Sequence, residues 1–135
     1  MADESRNFQI EIITPDRVFY QGEAEMIEFT AVDGDIGILK NHIPLTTVIA
    51  PGILTITEAG GKKQAALHSG FAEILPEKAT ILAEVAEWPD EIDANRAEEA
   101  KKRAEDRLKG NVPDIDVNRA EVALKRAMVR MSLKR

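Results

Sequence analysis

Six arginines recur at matching places in two segments near the end of the chain. Arg96, Arg103 and Arg107 lie in IDANRAEEAKKRAEDRL (residues 92–108), and Arg119, Arg126 and Arg130 in IDVNRAEVALKRAMVRM (residues 115–131). A guanidinium stays charged and offers a planar fork of donors that matches phosphate or carboxylate oxygens two at a time. At about 100° per residue, each trio falls on one side of a helix. In an antiparallel pair both rows share a side, and Arg96 and Arg103 come nearest Arg130 and Arg126. Cations gathered in this way repel one another unless an anion sits among them. The same arginines also suit a plainer role, as solvated helix formers paired with Glu98, Glu99, Glu105 and Asp106. Spacing alone leaves both readings open.

The elements that must hold these side chains are written in the flanking residues. Asp93 and Asp116 each stand where an N-cap belongs, able to accept the free N–H groups of a first turn. Gly110 suits the end of the first helix, and Val112-Pro113 falls in the connection. A loop this short makes the helices antiparallel. Ala97, Ala100, Ala104 and Leu108 form one apolar stripe, and Ala120, Ala123, Leu124, Ala127 and Met131 the matching one. Alanine lets backbones approach but removes little apolar area from water, at roughly 25 cal/mol per Å2. The pair is therefore expected to be marginally held. Val122, Val129 and Leu133 make a second stripe behind helix 2, which needs another surface to cover it.

Before this pair the chain reads as strands. Phe8, Ile10 and Ile12 alternate with polar neighbours, as do Ile27, Phe29 and Ala31. Turn residues arrive at short intervals, at Pro15-Asp16, Asp33-Gly34, Pro51-Gly52, Gly60-Gly61 and Pro76-Glu77, with Gly60-Gly61 as a hairpin tip. Alternation stops at Trp88-Pro89, and an Ala/Glu/Lys/Arg-rich composition follows. The expected class is α+β: an antiparallel β-sandwich over residues 1–87, then an antiparallel helical hairpin over residues 88–135, with helices at about 93–109 and 116–133.

Composition removes several functions. With no cysteine there is no disulfide or thiolate metal site. His42 and His68 have no neighbours at ligand spacing, so no metal is expected. Gly34-Asp-Ile-Gly37 lacks the P-loop lysine and reads as a turn. No catalytic residue is assigned, and no cofactor is required. The net charge of −6 resides in the front of the chain, while the last residues are basic. That argues against nucleic acid and for an anionic protein surface or small anion. No apolar run is long enough to cross a bilayer, and the polar start carries no expected secretory leader.

The stretch FTAVDGDIGILKNHIPLTT (residues 29–47), followed by PGILTI, GFAEI and a helical segment beginning IDANRA, resembles the epsilon subunit of bacterial F-type ATP synthases over essentially the whole chain. The resemblance implies a non-catalytic rotor subunit of a proton-translocating synthase. It would couple rotation to ATP synthesis, peripheral at the cytoplasmic face of the bacterial membrane. Its partners would be the gamma subunit, the c-subunit ring, and the alpha and beta subunits of the catalytic head. It further implies a hairpin that permits ATP hydrolysis when folded on the sandwich and blocks it when extended. Ile36, Ile38, Lys40 and His42 would meet the c ring or gamma; Lys125, Arg126, Arg130, Lys134 and Arg135 would face the beta subunits. Some members bind ATP on the folded hairpin. The corresponding residues here are Glu87, Ile92, Asp93, Arg96, Ala97, Arg103, Arg126 and Arg130, with ATP a regulatory ligand. A free-standing ATP-responsive binding module is the alternative.

Overall fold

The computed structural model describes residues 6–110 and 116–134. Eight strands come first: β1 (Phe8–Thr14), β2 (Arg17–Ala24), β3 (Met26–Ala31), β4 (Gly34–Leu39), β5 (Leu45–Ile49), β6 (Gly52–Glu58), β7 (Gly61–Leu75) and β8 (Lys78–Glu87). They run β2-β1-β8-β7-β5-β3-β4, and β6 joins β3 to β7. The period-2 pattern does what burial on one face requires. Phe8, Ile10 and Ile12 are buried along β1, and Ile27, Phe29 and Ala31 along β3. Their side chains meet Leu54, Ile56, Leu67 and Ile81 in one core, each large apolar group contributing roughly 1.5–3 kcal/mol. The expected α+β class and sandwich are what the chain forms.

Two details depart from a simple antiparallel meander. β1 pairs with β8 in parallel, which is open to strands joined through the whole domain rather than by a hairpin. β5 and β6 lie along successive halves of β7, with Pro51, which has no N–H to give, at the break between them. β7 bends at Ser69-Gly70, both at positive φ (52° and 142°). A Cβ at Gly70 would collide with the Leu82 carbonyl oxygen, so only glycine lets β7 come this close to β8. Glu58 pairs with Gly61 across the expected hairpin tip.

Two helices follow, α1 (Ala94–Leu108) and α2 (Val117–Lys134). Both caps form as the sequence indicates. The Asp93 carboxylate accepts the Asn95 and Arg96 N–H groups at 2.9 and 3.1 Å, and Asp116 accepts that of Arg119 at 3.1 Å. Gly110 takes φ 80° just past α1. Ala97 and Ala104 on one helix and Ala120 and Ala127 on the other are buried where the helices meet. Val112-Pro113 lies outside the described residues.

The hairpin rests on the sandwich through α2, which packs on β6 and β7. That contact explains an otherwise odd run, Ala65-Ala66-Leu67-His68, in which all four residues are buried. Ala65 and Leu67 belong to the sandwich core; Ala66 and His68 point the other way and are covered by the hairpin. A 3-10 turn, Pro89–Glu91, links the two parts. It is fastened to β2: Trp88 stacks on Phe19 at 4.3 Å and 15°, and Arg17 reaches Glu91 through two bonds of 2.9 and 2.8 Å.

Candidate functional site

Four elements meet in a cleft of about 270 Å3 lined by Glu87, Glu91, Ile92, Asp93, Arg96, Ala97, Ala100, Arg103 and Arg130. β8 brings Glu87, the linker brings Glu91 and Ile92, α1 brings Asp93 through Arg103, and α2 brings Arg130. The small side chains of Ala97 and Ala100 leave the space; bulkier residues on that stripe would fill it. The cleft is open to solvent and close to the ~300 Å3 at which small-molecule pockets begin.

Its charges divide by commitment. Arg130 Nε donates to Glu87 Oε1 at 2.7 Å. The His68 ring and the Arg130 guanidinium hold the Glu87 carboxyl down at about 2. Arg17, with the Trp88 N–H at 2.9 Å, holds Glu91 below the usual carboxylate range. Asp93 is engaged by the start of α1. Arg96 and Arg103 are different: both are exposed and make no side-chain ion pair among the described residues. They are the two cations left for an anion. The first turn of α1 adds its dipole beside them.

Seven of the eight residues assigned to a nucleotide from the sequence thus line one cleft. Arg126 does not. Its Nη2 donates to Ser69 Oγ at 2.9 Å, and its Nε is buried without a partner among the described residues, because its place on α2 faces the sandwich rather than α1. Glu91 lines the cleft unannounced by the repeat; Pro at the first helical position and Glu two residues on were the signal for its turn.

The residues assigned to partners scatter more widely. Ile38 is fully buried, a correction to its place among the contact residues, since the strand alternation that half-buries Ile36 turns Ile38 into the core. Ile36 lines a groove beneath Met128 and Val129 of α2. Lys40 and His42 flank the β4–β5 turn, where Leu39 and Ile43 are strongly exposed. Lys125 is exposed, Lys134 Nζ donates to the Pro89 carbonyl at 3.0 Å, and Arg135 lies outside the described residues.

A surface that the sequence reading missed runs across five strands. Val48 pairs with Phe71, Phe71 with Leu82, Leu82 with Ile13, and Ile13 with Val18. Residues directly opposite share a face, and Val48, Phe71, Leu82 and Val18 are each about half exposed. A continuous apolar row of this kind marks an interaction site more often than scattered single residues do. The signal was present in Phe71 and Leu82, both out of phase with their buried neighbours Ala72, Ile81 and Ala83.

Known proteins share the sandwich and the hairpin. Residues 7–89 match the family described as ATP synthase, Delta/Epsilon chain, beta-sandwich domain, and residues 90–134 that described as ATP synthase, Delta/Epsilon chain, long alpha-helix domain. The chain is 44% identical over 125 residues to the ATP synthase epsilon chain of Ruminiclostridium cellulolyticum, covering 93% of each. It is 50% identical over 105 residues to that of Caldanaerobacter subterraneus subsp. tengcongensis, 77% of this chain and 76% of the relative. A chain in the cryo-EM structure of the Euglena gracilis mitochondrial ATP synthase, OSCP/F1/c-ring in rotational state 1, superposes with a TM-score of 0.81 at 26% identity, over 95% of this chain and 81% of that one. A chain of the Tetrahymena thermophila mitochondrial ATP synthase central stalk/c-ring shares the fold, with a TM-score of 0.69 at 15% identity. Matched over both its sandwich and its hairpin, the chain belongs to the ATP synthase epsilon chains, a family of non-catalytic subunits.

Proposed function

We propose that this epsilon chain works in the central stalk of a proton-translocating synthase, at the cytoplasmic face of the membrane, and that its hairpin restrains ATP hydrolysis according to whether it is folded or extended. The observation that carries the reading is the composition of the cleft. Its lining comes from β8, the linker, α1 and α2 together, so it exists only while the hairpin is folded on the sandwich. ATP bound through Arg96 and Arg103 stabilises that folded state by RT ln(1 + [L]/Kd). Hydrolysis is then released when ATP is plentiful.

The surfaces divide the partners. The row Val48, Phe71, Leu82, Ile13, Val18 takes the gamma subunit, and the β4–β5 turn with Lys40, His42 and Ile43 takes the c ring. Arg130 and Lys134 are tied to Glu87 and Pro89 in the folded hairpin. Extension frees them, with Lys125, Arg126 and Arg135, for acidic segments of the beta subunits.

Calorimetric titration of the native chain with ATP tests the site. Arg103→Ala should weaken binding roughly 10- to 100-fold, the worth of a charge-assisted hydrogen bond at about 1.5–3 kcal/mol. Arg126→Ala, outside the cleft, should cost far less. No heat of binding at millimolar ATP in the native chain overturns the reading.

A further inference from the structure

His68 is wholly buried beneath α2, and neither ring nitrogen has a hydrogen-bond partner among the described residues. Glu87 Oε1 approaches Nε2 only to 3.4 Å, because the same oxygen is bound by Arg130 Nε at 2.7 Å. The charged groups that face the ring are Glu87 from β8 and Arg126 and Arg130 from α2; Ser69 beside it gives its hydroxyl oxygen to Arg126. A buried neutral imidazole with no closer contact than this costs free energy, and nothing in the core of the sandwich needs it, since it lies on the face opposite Ala65 and Leu67. What it does is set two guanidinium groups of the hairpin against a site that can become a cation.

We infer that His68 is a proton-operated catch for the hairpin: protonation of its ring, enclosed with Arg126 and Arg130, releases α2 from the sandwich. The inference rests on the reading that the hairpin leaves the sandwich, but ATP plays no part in it. Burial pushes His68 below its ordinary value; Glu87 opposes the shift, and Arg130 and Arg126 reinforce it. Released from α2, the ring returns to water and toward a pKa of about 6.5. The released state therefore binds more protons. Docking is fully present above about pH 6.5 and weakens as pH falls below it, by about tenfold per pH unit while the docked ring stays neutral. Glu87, held at about 2, titrates below this window and does not set it.

The cysteine-free chain accepts a pair of spin labels at Gln64→Cys and Ser132→Cys, which stand on the two walls of the groove between the sandwich and α2. Their separation, measured from pH 8 to pH 5 without nucleotide, should lengthen on acidification in the otherwise native chain and stay short in His68→Asn. Acid opening that persists in His68→Asn overturns the catch. So does a separation independent of pH in the otherwise native chain; opening of the Arg126→Ala, Arg130→Ala double variant alongside it leaves a mobile hairpin standing and removes only the role of His68. Should His68→Asn fail to fold, histidine NMR on the native chain replaces it. Protonation and opening with a common midpoint support the catch, and His68 protonation with the hairpin still docked overturns it.

Discussion

The sandwich and the hairpin bury different chemistry, and the contrast is what the proposed division into a fixed body and a moving part requires. The sandwich closes over Phe29, Ile10, Ile27, Ile56 and Ile81, all essentially without exposure. The two helices meet through Ala97, Ala104, Ala120 and Ala127, which remove a small fraction of that area from water. Besides covering Ala66, the hairpin is tied down by polar links, Arg126 to Ser69 and Arg130 to Glu87 on the sandwich and Lys134 to Pro89 on the linker. Apolar burial is non-directional and hard to undo in part. Hydrogen bonds can be exchanged for water or for another protein at small net cost. An element that must change partners without unfolding is better held by the second kind of contact.

Substitutions can break this contrast or sharpen it. The largest effect belongs to the sandwich: Phe29→Ala should lower global stability by about 3–5 kcal/mol in denaturant unfolding. Ala104→Leu crowds a site buried to 1%, and overpacking of this kind costs about 1–3 kcal/mol. Here the loss should appear as faster hydrogen exchange in α1 and α2, with the strands unchanged. If the strands lose protection in parallel, the two parts are one cooperative unit and the contrast fails. A smaller effect follows from pH. Because Glu87 has a folded value of about 2 against an ordinary 4.5, its contribution is present above about pH 4.5 and is lost as pH falls toward 2. Glu87→Gln should flatten hairpin exchange over that interval. The smallest effect on stability is expected for Phe71→Ser on the apolar row, within about 0.5 kcal/mol, although association with gamma in a pull-down should drop.

What could be read in the sequence follows the same division. Strands and helices were legible because their signals are local: alternation in FQIEI, caps at Asp93 and Asp116, and the alanine stripes. The cleft was legible in large part because helical spacing fixes where Arg96, Arg103 and Arg130 point. Arg126 was not, since its direction depends on how α2 is rolled against Ser69, a contact 57 residues away in the chain. His68 follows the apolar run Ala65-Ala66-Leu67 and looks like an ordinary strand residue; only the helix lying over it makes it exceptional. Ile38 shows the opposite error: the family likeness set it outward, while Gly34–Leu39, read in part as a turn, is a strand that carries Ile38 into the core. The apolar row escaped because it is assembled from five strands, each giving one residue.

The fastening of the linker has a mechanical consequence. Trp88 is stacked on Phe19, and Glu91 is gripped by Arg17 from β2, so the chain remains bolted to the sandwich through Glu91. The next fixed point is Asp93, which belongs to α1. In the proposed release the bend falls at Ile92, whose side chain is buried and whose N–H bonds the Pro89 carbonyl at 3.2 Å, so that residue must let go before the hairpin turns on a stub that does not travel with it. About so short a pivot the end carrying Leu108 and Val117 has the longest radius, while Lys134, which bonds Pro89 at 3.0 Å, lies beside the fulcrum.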